Sequence, residues 1–167
     1  GKVHVAYYAH SALELRHATN ASGSWVSQTI DTQGEVGLHL SIASDGAGKL
    51  HVSYYDAANG DLKYATNAPG PWTTEIVDSG GDVGVGTAVG LDATQGVHIA
   101  YTDASSHTLK YATNAGGAWS ILTIDNAVYV GGILASDNSY PAIAVDSLGK
   151  AHISYRGSGF LRYATNQ

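Results

Sequence analysis

The chain has 167 residues, 44% apolar and 13% charged, enough for one globular domain with a real core and too apolar for a disordered chain. Fourteen acids against eight bases give a formal charge of -6, a poor surface for tracking phosphates, so nucleic acid is not an expected partner. No apolar run approaches about 18 residues, no membrane span or signal peptide is read, and without cysteine there are no disulfides or thiolate metal sites, which leaves the redox compartment open.

Taken in order, the chain alternates strand-like runs with turn clusters. The opening GKVHVAYYAH reads as a strand, LRHATNA (residues 15–21) as the next, and Trp25 begins a third that ends at Asp31. A short strand ending at Asp45 then leads to LHVSYY (50–55), DLKYATN (61–67) and WTTEIVD (72–78). The same order recurs with a strand ending at Asp92, another around Tyr101, LKYATNA (109–115) and a run opened by Trp119. AIAVD (142–146), the run around Tyr155 and LRYATN (161–166) complete the chain. Turns such as AANG and APGP separate these runs, and no helical periodicity is present.

This order is a repeat. His4, His51 and His98 are 47 residues apart, as are Asn20, Asn67 and Asn114, and Trp25, Trp72 and Trp119, with repeats near 1–48, 49–95 and 96–149 and a partial one over 150–167. Four antiparallel strands per repeat of this length predict an all-β fold, a β-propeller with roughly three and a half to four blades in one domain, or part of one. The first repeat supplies strands two to four, the next two are complete, and the last supplies strands one to three, fourteen in all. That count leads us to expect a homo-oligomer or part of a longer propeller.

Seven of the eight basic residues obey the repeat: Arg16, Lys63, Lys110 and Arg162 on the third strand, and Lys2, Lys49 and Lys150 before the second. Strand alternation places Tyr64 in the core and Lys63 in solvent, so these bases are expected to be surface charges opposite Asp31, Asp78 and Asp125, or Asp45, Asp92 and Asp146. His51, His98 and His152 each follow one of the latter acids by six residues, which predicts an Asp–His hydrogen bond across the hairpin. One such histidine per blade, away from the inner strand, is not expected to hold a metal, and no cofactor is expected.

The segment KLHVSYYDAANGDLKYATNAPGPWTTEIVDSGGDVG resembles the tandem repeats of secreted or surface-displayed microbial β-propeller proteins, which implies an extracellular or cell-surface location. A more distant similarity is to sialidase-type propellers with an Asp-box turn; ASDGAG, LDATQG and VDSLG keep its Asp and glycine but lack the closing aromatic. Sialidase activity is not carried over, because Arg16, Arg156 and Arg162 are the only arginines and two of them occupy the repeated third-strand position. GxSxG, HExxH and P-loop motifs are absent, and acids recruited from different blades leave a polysaccharide-degrading fragment open.

Eleven Tyr and three Trp suit a sugar-stacking surface, although the repeated ones are also packing positions. Binding is therefore expected where the repeat fails. Between Asp125 and Asp146 the spacing is 21 rather than 14 residues, and the turn RGSGF is two residues short. Both irregularities belong to one end of the blades and bring Tyr129, Asp137, Asn138, Tyr140, Arg156 and Phe160, with Asp56, Asp61, Asp103 and His107 on neighbouring turns. The expected function is a non-catalytic, lectin-like glycan-binding module; a structural or protein-interaction propeller is the alternative.

Overall fold

The computed structural model describes residues 2–126, 128 and 140–166. Among them are fourteen strands in four antiparallel sheets, and no helix. Sheet one holds β1 (His4–Ala9), β2 (Glu14–Thr19) and β3 (Val26–Asp31), and sheet two holds β4 (Val36–Ser44), β5 (Leu50–Asp56), β6 (Asp61–Thr66) and β7 (Thr73–Asp78). Sheet three is β8 (Val83–Leu91), β9 (Val97–Asp103), β10 (Thr108–Thr113) and β11 (Ser120–Asp125); sheet four is β12 (Ala142–Val145), β13 (Ala151–Gly157) and β14 (Phe160–Thr165). Three, four, four and three strands is the distribution that the repeat predicts.

The inner strands depart from expectation. β4 and β8 run for nine residues each, longer than the five-residue pattern of AIAVD, because each takes two register shifts near its start. Gly37 and Gly84 lie within these irregular stretches with positive φ, and a Cβ on either would come within 2.9 Å of the Cα of Leu15 or Leu62 in the preceding sheet. Glycine therefore lets each inner strand lie directly on its neighbour.

The core consists of three seams between consecutive sheets. Ala6 and Leu15 of sheet one meet Val36, Val52 and Tyr54 of sheet two. Leu62 and Tyr64 meet Val83, Ile99 and Tyr101 in the second seam, and Leu109 and Tyr111 meet Ala151, Ile153 and Tyr155 in the third. Each seam also carries a backbone hydrogen bond to a left-handed turn residue of the previous sheet: from Val36 and Val83, which open β4 and β8, to Leu13 and Gly60, and from Val128, which bridges Gly157 of β13, to His107.

An acidic joint ties each seam, and it corrects one expectation. Lys63 does not reach solvent: its ammonium is buried on Asp31, which ends β3, together with the Tyr54 hydroxyl at 2.7 Å. Asp78 likewise accepts from Tyr101 and Lys110, both at 2.7 Å, and Asp125 from Tyr155 at 2.8 Å and Arg162 at 2.6 Å. The pairing of acid and base is as expected, but it lies inside the seams, because the Tyr and the base that share each acid sit on neighbouring strands of the next sheet. Burial works against ionisation of Asp31 and Asp78, yet hydrogen bonds from the cation, the tyrosine and the backbone outweigh it and hold both carboxyls below the usual range. Burial and the carboxylate push Tyr54 and Tyr101 far above the usual range, so both remain donors.

The histidines form a second repeated device. His98 and His152 meet Asp92 and Asp146 through Nε2 at 3.1 and 3.2 Å, as the spacing predicts, whereas His51 is 3.8 Å from Asp45, beyond hydrogen-bond range. Nδ1 of each also meets a tyrosine hydroxyl, on Tyr64, Tyr111 or Tyr163, at 2.5 Å, a partner the spacing did not suggest. In sheet one His17 replaces that tyrosine, and its Nε2 lies 3.0 Å from His4 Nδ1. Two tryptophans close the first and second seams, Trp72 on His17 and Trp119 on Tyr64, with ring centroids 5.6 and 5.5 Å apart.

Two predictions follow from this layout. Asp78→Ala leaves the part-buried ammonium of Lys110 and the buried hydroxyl of Tyr101 without their acceptor and should cost about 3 kcal/mol in urea unfolding. Asp125→Ala should cost only about 1 kcal/mol, because the Arg162 side chain is 38% exposed; equal losses would show that burial does not set the difference. Burial, reinforced by His4, lowers the pKa of His17, and burial lowers that of His51 against a smaller opposing pull from Asp45. The unfolded chain therefore takes up these protons first as pH falls, so their contribution is complete above about 6.5 and is lost on acidification through the lowered native values. Calorimetry should show Tm falling from about pH 7 to about pH 5, and His17→Gln should flatten that slope.

Candidate functional site

In each sheet the turn from the second to the third strand lies at the same end as the connection into the next sheet, as the three backbone bonds across the seams require. This end carries Tyr140 and the β13–β14 turn with Arg156 and Phe160. Tyr129, Asp137 and Asn138 lie outside the described residues.

Tyr140 is exposed and reaches back over sheets two and three. Its hydroxyl lies 3.1 Å from His39 Nδ1 and its ring centroid 5.6 Å from the His39 imidazole, which in turn lies 6.0 Å from the Tyr55 ring. Gly86 makes room for it: a Cβ there would sit 3.1 Å from the Tyr140 ring and 3.4 Å from its Cα. His39 has a positive φ of 50° in the irregular start of β4, which turns its ring out of the strand alternation. The result is a layered step of Tyr140, His39 and Tyr55, with the Tyr55 hydroxyl anchored on Asp82 at 2.6 Å. Burial lowers the pKa of His39, so its imidazole is neutral at pH 7. Sequence reasoning did not single out His39; the signal available was that it is a histidine outside the repeated positions.

Arg156 and Phe160 are exposed at the β13–β14 turn of sheet four. Arg156 occupies the position of Tyr8 and Tyr55, whose hydroxyls bond Glu35 and Asp82 on the connections into the following sheets. His107 contributes its left-handed carbonyl to the seam and leaves its side chain exposed.

The three aspartates are buried rather than displayed. Asp56 caps its own turn through the backbone of Ala58 and Asn59 and the Asn59 amide, while Asp103 accepts from Ser105 and Ser106. Asp61 sits directly opposite Asp56 in the hairpin, and its pKa is raised first by burial and then by the Asp56 charge. Among the described residues no three His, Asp or Glu side chains form a metal-ligating group, and the repeated histidines are each spent within their own sheet. Among those residues, too, no helix is long and apolar enough to cross a membrane.

Relief of the repulsion between opposed carboxylates is directly measurable. Asp61→Asn should raise stability by up to about 1 kcal/mol, read as a higher urea midpoint at neutral pH; a lower midpoint would mean that the Asp61 charge is itself bound by the fold.

No protein-family model matches the sequence, and no curated protein matches it. Similarity appears in structure. The fold is similar to AofleA from Arthrobotrys oligospora, with 13% identity and a TM-score of 0.69, over 100% of this chain and 50% of that one. It is similar to a mutant of the Aleuria aurantia lectin in complex with Fucα1-6GlcNAc, with 13% identity and a TM-score of 0.58, over 99% of this chain and 58% of that one. It is also similar to the intramolecular trans-sialidase of Ruminococcus gnavus in complex with oseltamivir carboxylate, with 13% identity and a TM-score of 0.57, over 98% and 40%. The chain thus spans about half the length of the solved structures it matches, and its four sheets share the architecture of the sialidase and fucose-lectin β-propellers.

Proposed function

We propose that residues 1–167 form a β-propeller domain, or part of one, that binds glycans without catalysis. The observation that carries this reading is the Tyr140–His39–Tyr55 step. It offers the exposed ring of Tyr140, with its hydroxyl held by the half-buried His39 on the buried Tyr55, and so gives a sugar an apolar face to stack on and a hydroxyl to bond. The likeness to a lectin held in complex with Fucα1-6GlcNAc supports the same class of ligand. Arg156 and Phe160, at the same end of sheet four, are secondary contacts. Display on similar sheets would let weak sites act together, and a secreted or surface location suits such a ligand.

Fucα1-6GlcNAc is the first probe, followed by an array of fucosylated and sialylated glycans. Binding is expected, and Tyr140→Ala or His39→Ala should weaken it about tenfold or more without changing Tm beyond a small shift. An array without any bound glycan, or affinity unaltered in both variants, would overturn the reading. A second reading, a protein-interaction propeller, is favoured by the apolar faces that sheets one and four expose.

A further inference from the structure

The two ends of the sheets differ in charge. At the end that holds Asp45, Asp92 and Asp146, Lys2, Lys49 and Lys150 match the three acids. At the other end, Lys63, Lys110 and Arg162 are spent on Asp31, Asp78 and Asp125, and Arg16 on Glu14. Glu35, Asp56, Asp61, Asp82 and Asp103 remain there, and Arg156 is the one further base at that end among the described residues. Lys63 and Lys110 lie 3.9 and 3.7 Å from Asp56 and Asp103, beyond hydrogen-bond range, and each already serves the nearer acid. The acidic end is the one where Tyr140, His39 and Tyr55 form their step.

Three of the unmatched acids gather at the foot of that step. The Tyr55 hydroxyl donates to Asp82 at 2.6 Å, and the charges of Asp82, Asp56 and Asp61 add to burial in keeping it protonated. Gly60 joins the pieces: a Cβ there would lie 3.3 Å from the Gly81 carbonyl oxygen and 3.7 Å from Asp82 Oδ1. The turn between Asp56 and Asp61 therefore rests on the connection that carries Asp82. Asp56 is satisfied by its own turn, and Asp82 by Tyr55. Asp61 is 7% exposed, and among the described residues no group donates a hydrogen bond to its carboxylate. A buried carboxylate without a donor is costly, and a cation brought from outside would offset that cost.

We propose, on the glycan reading given above, that Asp56, Asp61 and Asp82 make the Tyr140 site select sugars by charge, admitting neutral and amine-bearing sugars and excluding carboxylated and sulfated ones. The fields of the three acids add at the Tyr55 side of the step. An ammonium on the ligand gains that attraction, a carboxylate or sulfate meets it as repulsion, and a neutral ring stacked on Tyr140 feels little of it. Acidic sugars are thus turned away by charge rather than by shape, and salt weakens the selection.

Three forms of one disaccharide test this: Fucα1-6GlcNAc, the same compound without its acetyl group, which carries an ammonium, and the same compound with a succinyl group in its place, which carries a carboxylate. At about pH 6.5 and low salt, calorimetric titration should show the amine form bound about threefold or more tighter than the parent and the succinyl form about threefold or more weaker. Salt at about 0.5 M should draw the three affinities together. Asp61→Asn should narrow the spread at low salt and leave the affinity for the parent unchanged. Equal affinities at low salt, tightest binding of the succinyl form, or a spread that Asp61→Asn leaves as wide would each overturn the proposal. Binding of none of the three would count against the glycan reading instead. The charge of the site is then read by NMR with cationic and anionic nitroxides, and the cation should relax the amides of His39, Gly86 and Tyr140 more strongly. Equal relaxation by the two probes would overturn the proposal by itself.

Discussion

A carboxylate buried between two sheets, with a lysine or arginine and a tyrosine from the next sheet closing on it, is the interaction on which the rest of this structure depends. Asp31, Asp78 and Asp125 end the outermost strand of one sheet, and their partners lie on the second and third strands of the next. A buried ion pair is not strongly stabilising in itself, since desolvation offsets most of the attraction. Its value here is in register. A shift of either sheet would leave a charge in an apolar seam without its partner, so the acid, the base and the hydroxyl specify one angle and one height between neighbours that hydrophobic contact alone would leave loose.

That constraint also positions the candidate site. The acids precede the connection into the next sheet, so the connections and the turns they bond to are held to one end of the molecule. The bulged starts of β4 and β8 then project toward that end, and His39 and Gly86 create the place where Tyr140 settles. A loop residue placed on such a base is held at both its ring face and its hydroxyl. The candidate surface is thereby ordered before any ligand arrives.

Copies of a repeat share their contacts only where a neighbour exists on both sides. Sheets two and three bury nearly every side chain of their second and third strands, while the same residue types in sheets one and four stand half in water. His152 and Tyr163 keep the bond that His98 and Tyr111 make, yet they are far more exposed. The local hydrogen bond belongs to the hairpin, and burial belongs to the neighbouring sheet.

The sequence by itself determined the strands, their number per sheet and the pairing of His98 and His152 with their aspartates, because these depend on alternation, turn residues and short separations within one hairpin. Only the tertiary structure decided that Lys63 is buried and Lys110 half-buried, since a side chain on the expected solvent face of one strand is covered by an acid 32 residues away on another sheet. It likewise decided that Asp56 and Asp103 are held within turns, that Asp61 is buried opposite Asp56, and that His39 stands under Tyr140 across 101 residues of chain. Periodicity reports which face a residue occupies within its own sheet. What covers that face is set by the neighbouring sheet, and no local pattern encodes it.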